Sequence, residues 1–331
     1  MALPSSGVIK FSNIATEFVD STPYKFSKYY KGGALVPNAS QNTNVPTSGA
    51  IKLSNFYGAV RRIAVTVTIA SNTTNYTLNT AAVPGYIAGI TDVTFVVNSG
   101  VYLYSTSTAT PALTVSAFTS GDTITITNNG YIMGMGGNGA SYAQRGNPAY
   151  GAGQVGGPAI SLGYSVKVTN NSYIGGGGGG GGGSVPGGGG GAGGGTGGGG
   201  ATGWTTGGLG GGPGAVGSNS SAPGSGGGTT NYNAGGGGRI FPGTGGARGQ
   251  GGGAGGGSGY DNSQVSGVSG GSAGNAGTSG SGGGGGGWGA SGGSCPSNFA
   301  GYVGGAGGKA IALNGYTVTY LTTGTVYGVV S

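Results

Sequence analysis

The sequence has no histidine, one cysteine, five acidic residues and no long apolar run, and each shortage closes off a class of function. Without imidazole there is no side chain that exchanges protons near neutral pH, and a Ser/His/Asp arrangement is impossible. Five carboxylates scattered over 331 residues leave little for acid–base or metal chemistry. Cys295 alone supports neither an intrachain disulfide nor a multi-thiolate zinc site. No enzyme activity, cofactor or metal is expected. The opening residues MALPSSGVIKFSN lack the apolar run of a secretory leader, and no stretch of about 18 apolar residues could span a bilayer. The chain is expected to be made in a cytoplasm and to leave it only by a route without a leader, such as being carried out in a particle.

Charge is scarce and uneven. Charged residues are 5% of the chain, against roughly 25% in an ordinary soluble domain. Residues 1–62 carry Lys10, Lys25, Lys28, Lys31, Lys52, Arg61 and Arg62 against Glu17 and Asp20, so most of the net +7 sits at one end. The near-neutral remainder offers no polyanion-binding surface, and nucleic acid is not an expected partner.

What the chain has in excess is glycine. Of 91 glycines, 68 lie in residues 171–310, and the rest of the sequence resembles a β-rich protein. Internal repeats frame this block. Leu3–Asn13 (LPSSGVIKFSN) and Val45–Asn55 (VPTSGAIKLSN) are identical at seven of eleven positions. Each copy is a Pro-x-Ser-Gly turn feeding a strand or a single helical turn, because Pro fixes φ and Gly permits φ > 0. A module of about 60 residues built this way is expected to have little core of its own and to lean on a partner. Residues 1–60 therefore read as an attachment module, with Pro4, Gly7, Ile9, Tyr29, Tyr30, Pro46, Gly49, Ile51, Phe56 and Tyr57 as its candidate contact residues.

From Arg61 the apolar period becomes two. Ile63, Val65, Val67 and Ile69 alternate with small residues, and Val93/Phe95/Val97, Val101/Leu103, Leu113/Val115 and Ile124/Ile126 repeat the pattern between Ser/Thr/Asn/Gly clusters. Residues 61–132 are expected to form a small antiparallel β-sandwich. A second repeat, Ile126–Ile132 (ITNNGYI) and Val168–Ile174 (VTNNSYI), runs into glycine each time; a third, Gly156–Leu162 (GGPAISL) and Gly307–Leu313 (GGKAIAL), brackets the block. Residues 133–331 thus read as a glycine-rich domain enclosed by β-strands, and the fold class as mainly β.

The run Gly175–Gly183 and only 13 prolines exclude collagen, and the lack of Arg-Gly tandems weakens an RNA-binding tail. Ordering 68 glycines costs on the order of 70–140 kcal/mol at roughly 1–2 kcal/mol per residue, so a folded block needs a regular way to satisfy its backbone. A bundle of left-handed polyglycine II helices bonded to one another supplies one. The non-glycine interruptions then mark turns. Within them Trp204, Asn219, Tyr232, Arg239, Phe241, Tyr260, Asp261 and Trp288 combine aromatic anchors with polar groups on a rigid scaffold, as binding loops do. The competing role for the aromatics is covering glycine faces or plugging core ends.

The paired LPSSGVIKFSN and VPTSGAIKLSNFYGA segments resemble an N-terminal motif of tailed-bacteriophage tail and fibre proteins. NSGVYLYSTSTATPALTVSAFTSGDTITITNNGYIMGMGG and the ending GGKAIALNGYTVTYLTTGTVYGVVS resemble glycine-rich tail proteins of the same phages, and the block is similar in style to fibre-tip adhesins that use polyglycine II helices. The resemblance implies a virion tail location and a tail-fibre or baseplate protein. Such a protein would dock on other tail, fibre or baseplate proteins and adsorb non-covalently to a host outer-membrane protein or glycan. It leaves open a homotrimer, common among fibres, or a lattice closed within one chain. The rivals are a structural tail component without receptor binding and an ice-binding protein, although the block's threonines show no fixed period.

Overall fold

The structure, a computed structural model, describes residues 3–141, 151–183, 188–197, 283–294 and 302–331. These divide into two compact units: Met1–Val67 with Thr80–Thr94 and Phe118–Ile124, and Thr68–Asn79 with Phe95–Ala117 and Thr125–Ser331.

In the first unit, the module expected to have little core of its own buries a cluster of eight residues. Helix α1 (Phe11–Glu17) and 3-10 turns at Phe26–Tyr29, Ser40–Asn42 and Leu53–Phe56 surround buried Leu3, Ile14, Phe18, Tyr29, Val36, Val45, Phe56 and Ala59. The rings of Phe18, Tyr29 and Phe56 meet edge to face at 6.0–6.3 Å, each aromatic burying far more apolar area than an aliphatic would. Beyond α1 the chain turns through Val19 at φ +52°, a left-handed conformation that its β-branched side chain disfavours.

The strands are β1 (Ile63–Ile69), β2 (Thr73–Thr74), β3 (Tyr76–Leu78), β4 (Thr91–Val97), β5 (Tyr102–Tyr104), β6 (Leu113–Val115), β7 (Thr123–Asn128), β8 (Tyr131–Met133), β9 (Ile160–Leu162), β10 (Val166–Asn170), β11 (Tyr173–Gly175), β12 (Ile311–Ala312), β13 (Val318–Thr322) and β14 (Thr325–Tyr327). They form three sheets in the orders β1-β4-β7-β10-β13, β2-β5-β8-β11-β14 and β3-β6-β9-β12. The antiparallel sandwich is corrected: β7–β10–β13, β2–β5–β8–β11–β14 and β3–β6–β9–β12 all pair parallel. Each strand is followed by a strand of the next sheet, so the chain winds and lays each coil alongside the last in the same direction. Alternation survives because a coil also buries every second residue; Ile124 and Ile126 point inward between half-buried threonines.

The internal repeats are stacked coils. Val168 pairs with Ile126, Tyr173 with Tyr131, and Ile311 with Ile160. Asn128 and Asn170, both fully buried, stack at the corner between the first and second sheets, the Asn128 amide donating to Asn170 Oδ1 at 2.8 Å. Asn170 also donates to the carbonyls of Thr323 and Thr325, so one side chain stitches three successive coils. On the second sheet Tyr102, Tyr131, Tyr173 and Tyr327 stack with centroids 4.6, 5.6 and 6.2 Å apart.

The glycine-rich sequence enters at one repeated step, between β8 and β9 and again between β11 and β12. No regular helix or strand is assigned over residues 176–183, yet its backbone bonding has a strict period of three. The N–H groups of Gly177, Gly180 and Gly183 donate to Gly157, Gln154 and Gly151; those of Gly178 and Gly181 to Ala192 and Gly189; those of Gly179 and Gly182 to Ala290 and Gly293. Its carbonyls accept with the same period: Gly175, Gly178 and Gly181 from Gly134, Gly137 and Ala140; Gly177 and Gly180 from Gly308 and Gly305; Gly179 and Gly182 from Gly286 and Gly283. Six segments of the same chain therefore surround this one, three accepting from it and three donating to it. A Cβ on any of Gly176–Gly182 would fall inside a neighbouring carbonyl oxygen.

Candidate functional site

Two surfaces compete for function, and each is assembled by backbone geometry. The first lies on the N-terminal module. Gly7 and Gly49 take φ of +88° and +82°, so both repeated turns have the left-handed step that glycine permits. Lys10 N–H bonds Asn13 Oδ1 at 3.0 Å, and Lys52 N–H bonds Asn55 Oδ1 at 2.8 Å. Each turn is held by a tyrosine and the residue after it from elsewhere in the module. Tyr57 donates its hydroxyl to the Gly7 carbonyl and Gly58 N–H bonds Pro4 O; Tyr30 donates to the Gly49 carbonyl and Lys31 N–H bonds Pro46 O.

This bonding sorts the candidate contact residues. Pro4, Gly7 and Gly49 are exposed, whereas Ile9, Tyr30, Pro46, Ile51 and Tyr57 are half-buried. Tyr29 and Phe56 are withdrawn from the contact set, because both are fully buried as the module's core rings. Behind them Asp20 accepts from Lys28 Nζ and the Tyr29 hydroxyl, both at 2.9 Å. The Lys28 bond is the main cause holding the Asp20 carboxyl below the usual carboxylate value; burial, then the Asp20 bond, pushes the Tyr29 hydroxyl up.

The second surface belongs to the glycine-rich segments. Trp204, Asn219, Tyr232, Arg239, Phe241, Tyr260 and Asp261 lie outside the described residues. Trp288 is described, and it is a correction: 1% exposed, it packs with Tyr102, Met133 and Ala192 on the outer face of the second sheet. Gly175 explains this burial. In the column Tyr104–Met133–Gly175–Tyr327 only Gly175 lacks a side chain, and a Cβ there would come 3.2 Å from Trp288. The indole fills that gap, edge-on to Tyr173 and Tyr327, with its Nε1 unpartnered. Only the register of the stacked coils reveals this vacancy.

The ends of the described glycine segments converge. Ala140 donates to Gly181, which donates to Gly189; Gly183 donates to Gly151; Gly283 donates to Gly182, which donates to Gly293. A Cβ on Gly182 would meet the Tyr302 carbonyl, and Gly139 N–H bonds Thr196 O. Ala140, Gly151, Gly189, Gly283 and Gly293 thus lie together around Gly181–Gly183, at one end of the bonded array. Among the described residues no cluster of His, Cys, Asp and Glu has metal-binding geometry, and no helix is long and apolar enough to cross a membrane.

The chain matches no curated protein. The crystal structure of the gp37-gp38 adhesin tip complex of the bacteriophage S16 long tail fiber is similar in fold, with a TM-score of 0.50 and 20% identity, covering 97% of this chain and 93% of that one. The family model described as phage tail fibre adhesin Gp38 matches residues 64–331, which take in all but the first residue of the winding, and the chain belongs to that family.

Proposed function

We propose that the protein docks on the phage tail through its N-terminal module and adsorbs to the host surface through loops carried by a polyglycine II lattice. The observation that carries this reading is the period-three backbone bonding of Gly175–Gly183 to six surrounding segments of the same chain. Bonding with a period of three to six neighbours supports polyglycine II, which has about three residues per turn. Such an array is stiff because its bonds are backbone bonds and its neighbours touch without intervening side chains. Loops rooted in it are pre-organised, and binding then loses less ordering entropy. Trp204, Asn219, Tyr232, Arg239, Phe241, Tyr260 and Asp261 are the proposed receptor contacts, acting non-covalently.

The docking half rests on the duplicated motif and on the module lying before residue 64, where the adhesin family match begins. Similarity to one chain of a gp37-gp38 complex supports another tail fibre protein as the partner. The test is competition: purified full-length protein added to host cells should reduce subsequent virion adsorption in a saturable way. Undiminished adsorption at saturating protein, on a host the virion infects, would favour a structural role for the glycine domain.

A further inference from the structure

The fold accounts for only part of the identity between the two copies of the N-terminal motif. Four of the seven identical pairs have structural work. Pro4 and Pro46 present carbonyls to Gly58 and Lys31; Gly7 and Gly49 supply the left-handed step; Ile9 and Ile51 pack against the core; Asn13 and Asn55 bond the lysine N–H groups. The other three pairs, Ser6/Ser48, Lys10/Lys52 and Ser12/Ser54, are exposed, and among the described residues their side chains have no hydrogen-bond or ion-pair partner. The copies do tolerate change, since they differ at four positions. Identity at exposed positions that the fold does not use requires another cause, and a contact outside the chain supplies one.

The two copies are also presented alike. Their glycine φ values differ by a few degrees, their Asn bonds match, and each turn is held by a tyrosine hydroxyl and the backbone N–H of the residue after it, Tyr57 and Gly58 for the first copy and Tyr30 and Lys31 for the second. The charge of the surface points to the partner's chemistry. Asp20 is occupied by Lys28 and Tyr29, and Glu17 accepts from the Arg61 N–H, while Lys10 and Lys52 face solvent with no carboxylate partner among the described residues.

We infer that the module grips its partner at two equivalent places, Ser6–Lys10–Ser12 and Ser48–Lys52–Ser54 each taking one copy of the same acidic site. The partner is therefore a tail protein that offers that site twice, as a symmetric oligomer or an internally repeated chain. This rests on the docking proposed above and deepens it. Two tethered contacts bind far more tightly than either alone, because the second forms at high effective concentration.

Zero-length carbodiimide coupling on intact particles, followed by mass spectrometry, joins lysines to contacting carboxylates. Lys10 and Lys52 should both link to the same acidic residue of one partner chain. Links from the two lysines to unrelated sites, or from one alone, overturn the twofold grip while leaving docking intact; no link from any module lysine to a tail protein removes the docking reading as well. Particles assembled with full-length variants give a second readout, as copies of the protein per particle. Lys10→Glu and Lys52→Glu should each lower incorporation by a similar factor, about 10-fold, and the double variant by about 100-fold. Lys25→Glu, an exposed lysine outside the repeat, should stay within about twofold, since a distant charge is screened. Equal losses at Lys25 and Lys10, or unequal losses at Lys10 and Lys52, contradict the proposal; matched melting temperatures exclude misfolding.

Discussion

The side-chain amides of Asn128 and Asn170 lie 2.8 Å apart inside the winding, one donating to the other, on consecutive coils. Asn170 passes the contact on to the carbonyls of Thr323 and Thr325, and its own Oδ1 also accepts from Ser172 N–H. Replacing it with alanine strands several buried groups at once. At about 1–3 kcal/mol for each orphaned group, Asn170→Ala should lower stability by roughly 3 kcal/mol or more. Chemical denaturation of the full chain measures this, and a loss below about 1 kcal/mol would mean that water replaces the ladder.

Glycine should be irreplaceable inside the array and cheap to replace outside it. Gly179→Ala places a methyl group on the Gly305 carbonyl, which is main chain and has nowhere to move. Gly315 has φ +89° with nothing near its missing Cβ, so Gly315→Ala meets only the left-handed penalty of about 1–2 kcal/mol. Thermal unfolding should separate the two variants widely, and similar melting points would remove the packing argument.

Trp288 should behave as a core residue. Trp288→Ala is expected to cost about 3–5 kcal/mol, whereas Trp288→Phe keeps most of the packing and deletes an unpartnered N–H. In a Trp204→Phe background the remaining tryptophan should emit in the blue and resist aqueous quenchers; an easily quenched, red emission would contradict its burial.

Val19 provides a stabilising test. Its backbone is left-handed at φ +52° and its side chain is exposed, so Val19→Gly relieves strain and loses little burial. A gain of up to about 1 kcal/mol is expected after the greater unfolded-state entropy of glycine is subtracted. A lowered melting temperature would show that the valine makes contacts that outweigh its backbone cost.

Asp20 predicts acid sensitivity of the N-terminal module with a defined sign. Its folded pKa lies below the unfolded value of 3.8, chiefly through the Lys28 bond, so the carboxylate stabilises the fold above pH 3.8. That stabilisation fades as pH falls through the depressed folded value. Asp20→Asn should be less stable near neutrality and lose this part of the pH dependence. A wild-type slope persisting in the variant would assign the effect to another group.

The sequence shows its repeats openly, and they are real coils: ITNNGYI and VTNNSYI stack residue on residue. Strand direction was not legible, because alternating Ile and Thr look the same in a hairpin and in a winding. The clue was the return of Asn-Ser-Gly-Val-Tyr, Asn-Asn-Gly-Tyr and Asn-Asn-Ser-Tyr, a corner followed by a stacking tyrosine, at the second sheet of successive coils. Tyr29 and Phe56 sat in identifiable motifs, but only packing reveals that they close a core while Tyr30 and Tyr57 bond the carbonyls of Gly49 and Gly7. Trp288 looked like an anchor among glycines because the gap it fills, at Gly175, belongs to a distant part of the chain.

The enclosure of residues 176–183 by six neighbours also sets an order of events during synthesis. When a ribosome has translated Gly183, the central segment and two of its walls, 134–140 and 151–157, exist. The remaining walls, at 188–192, 283–289, 290–293 and 302–308, are translated later, and some only near the end of the chain. More than half of the central N–H and C=O groups must stay in water until then, and closure over such sequence separation is slow. The centre of the glycine array is therefore finished after translation, and the protein is most vulnerable to proteases while that centre waits for the C-terminal coil.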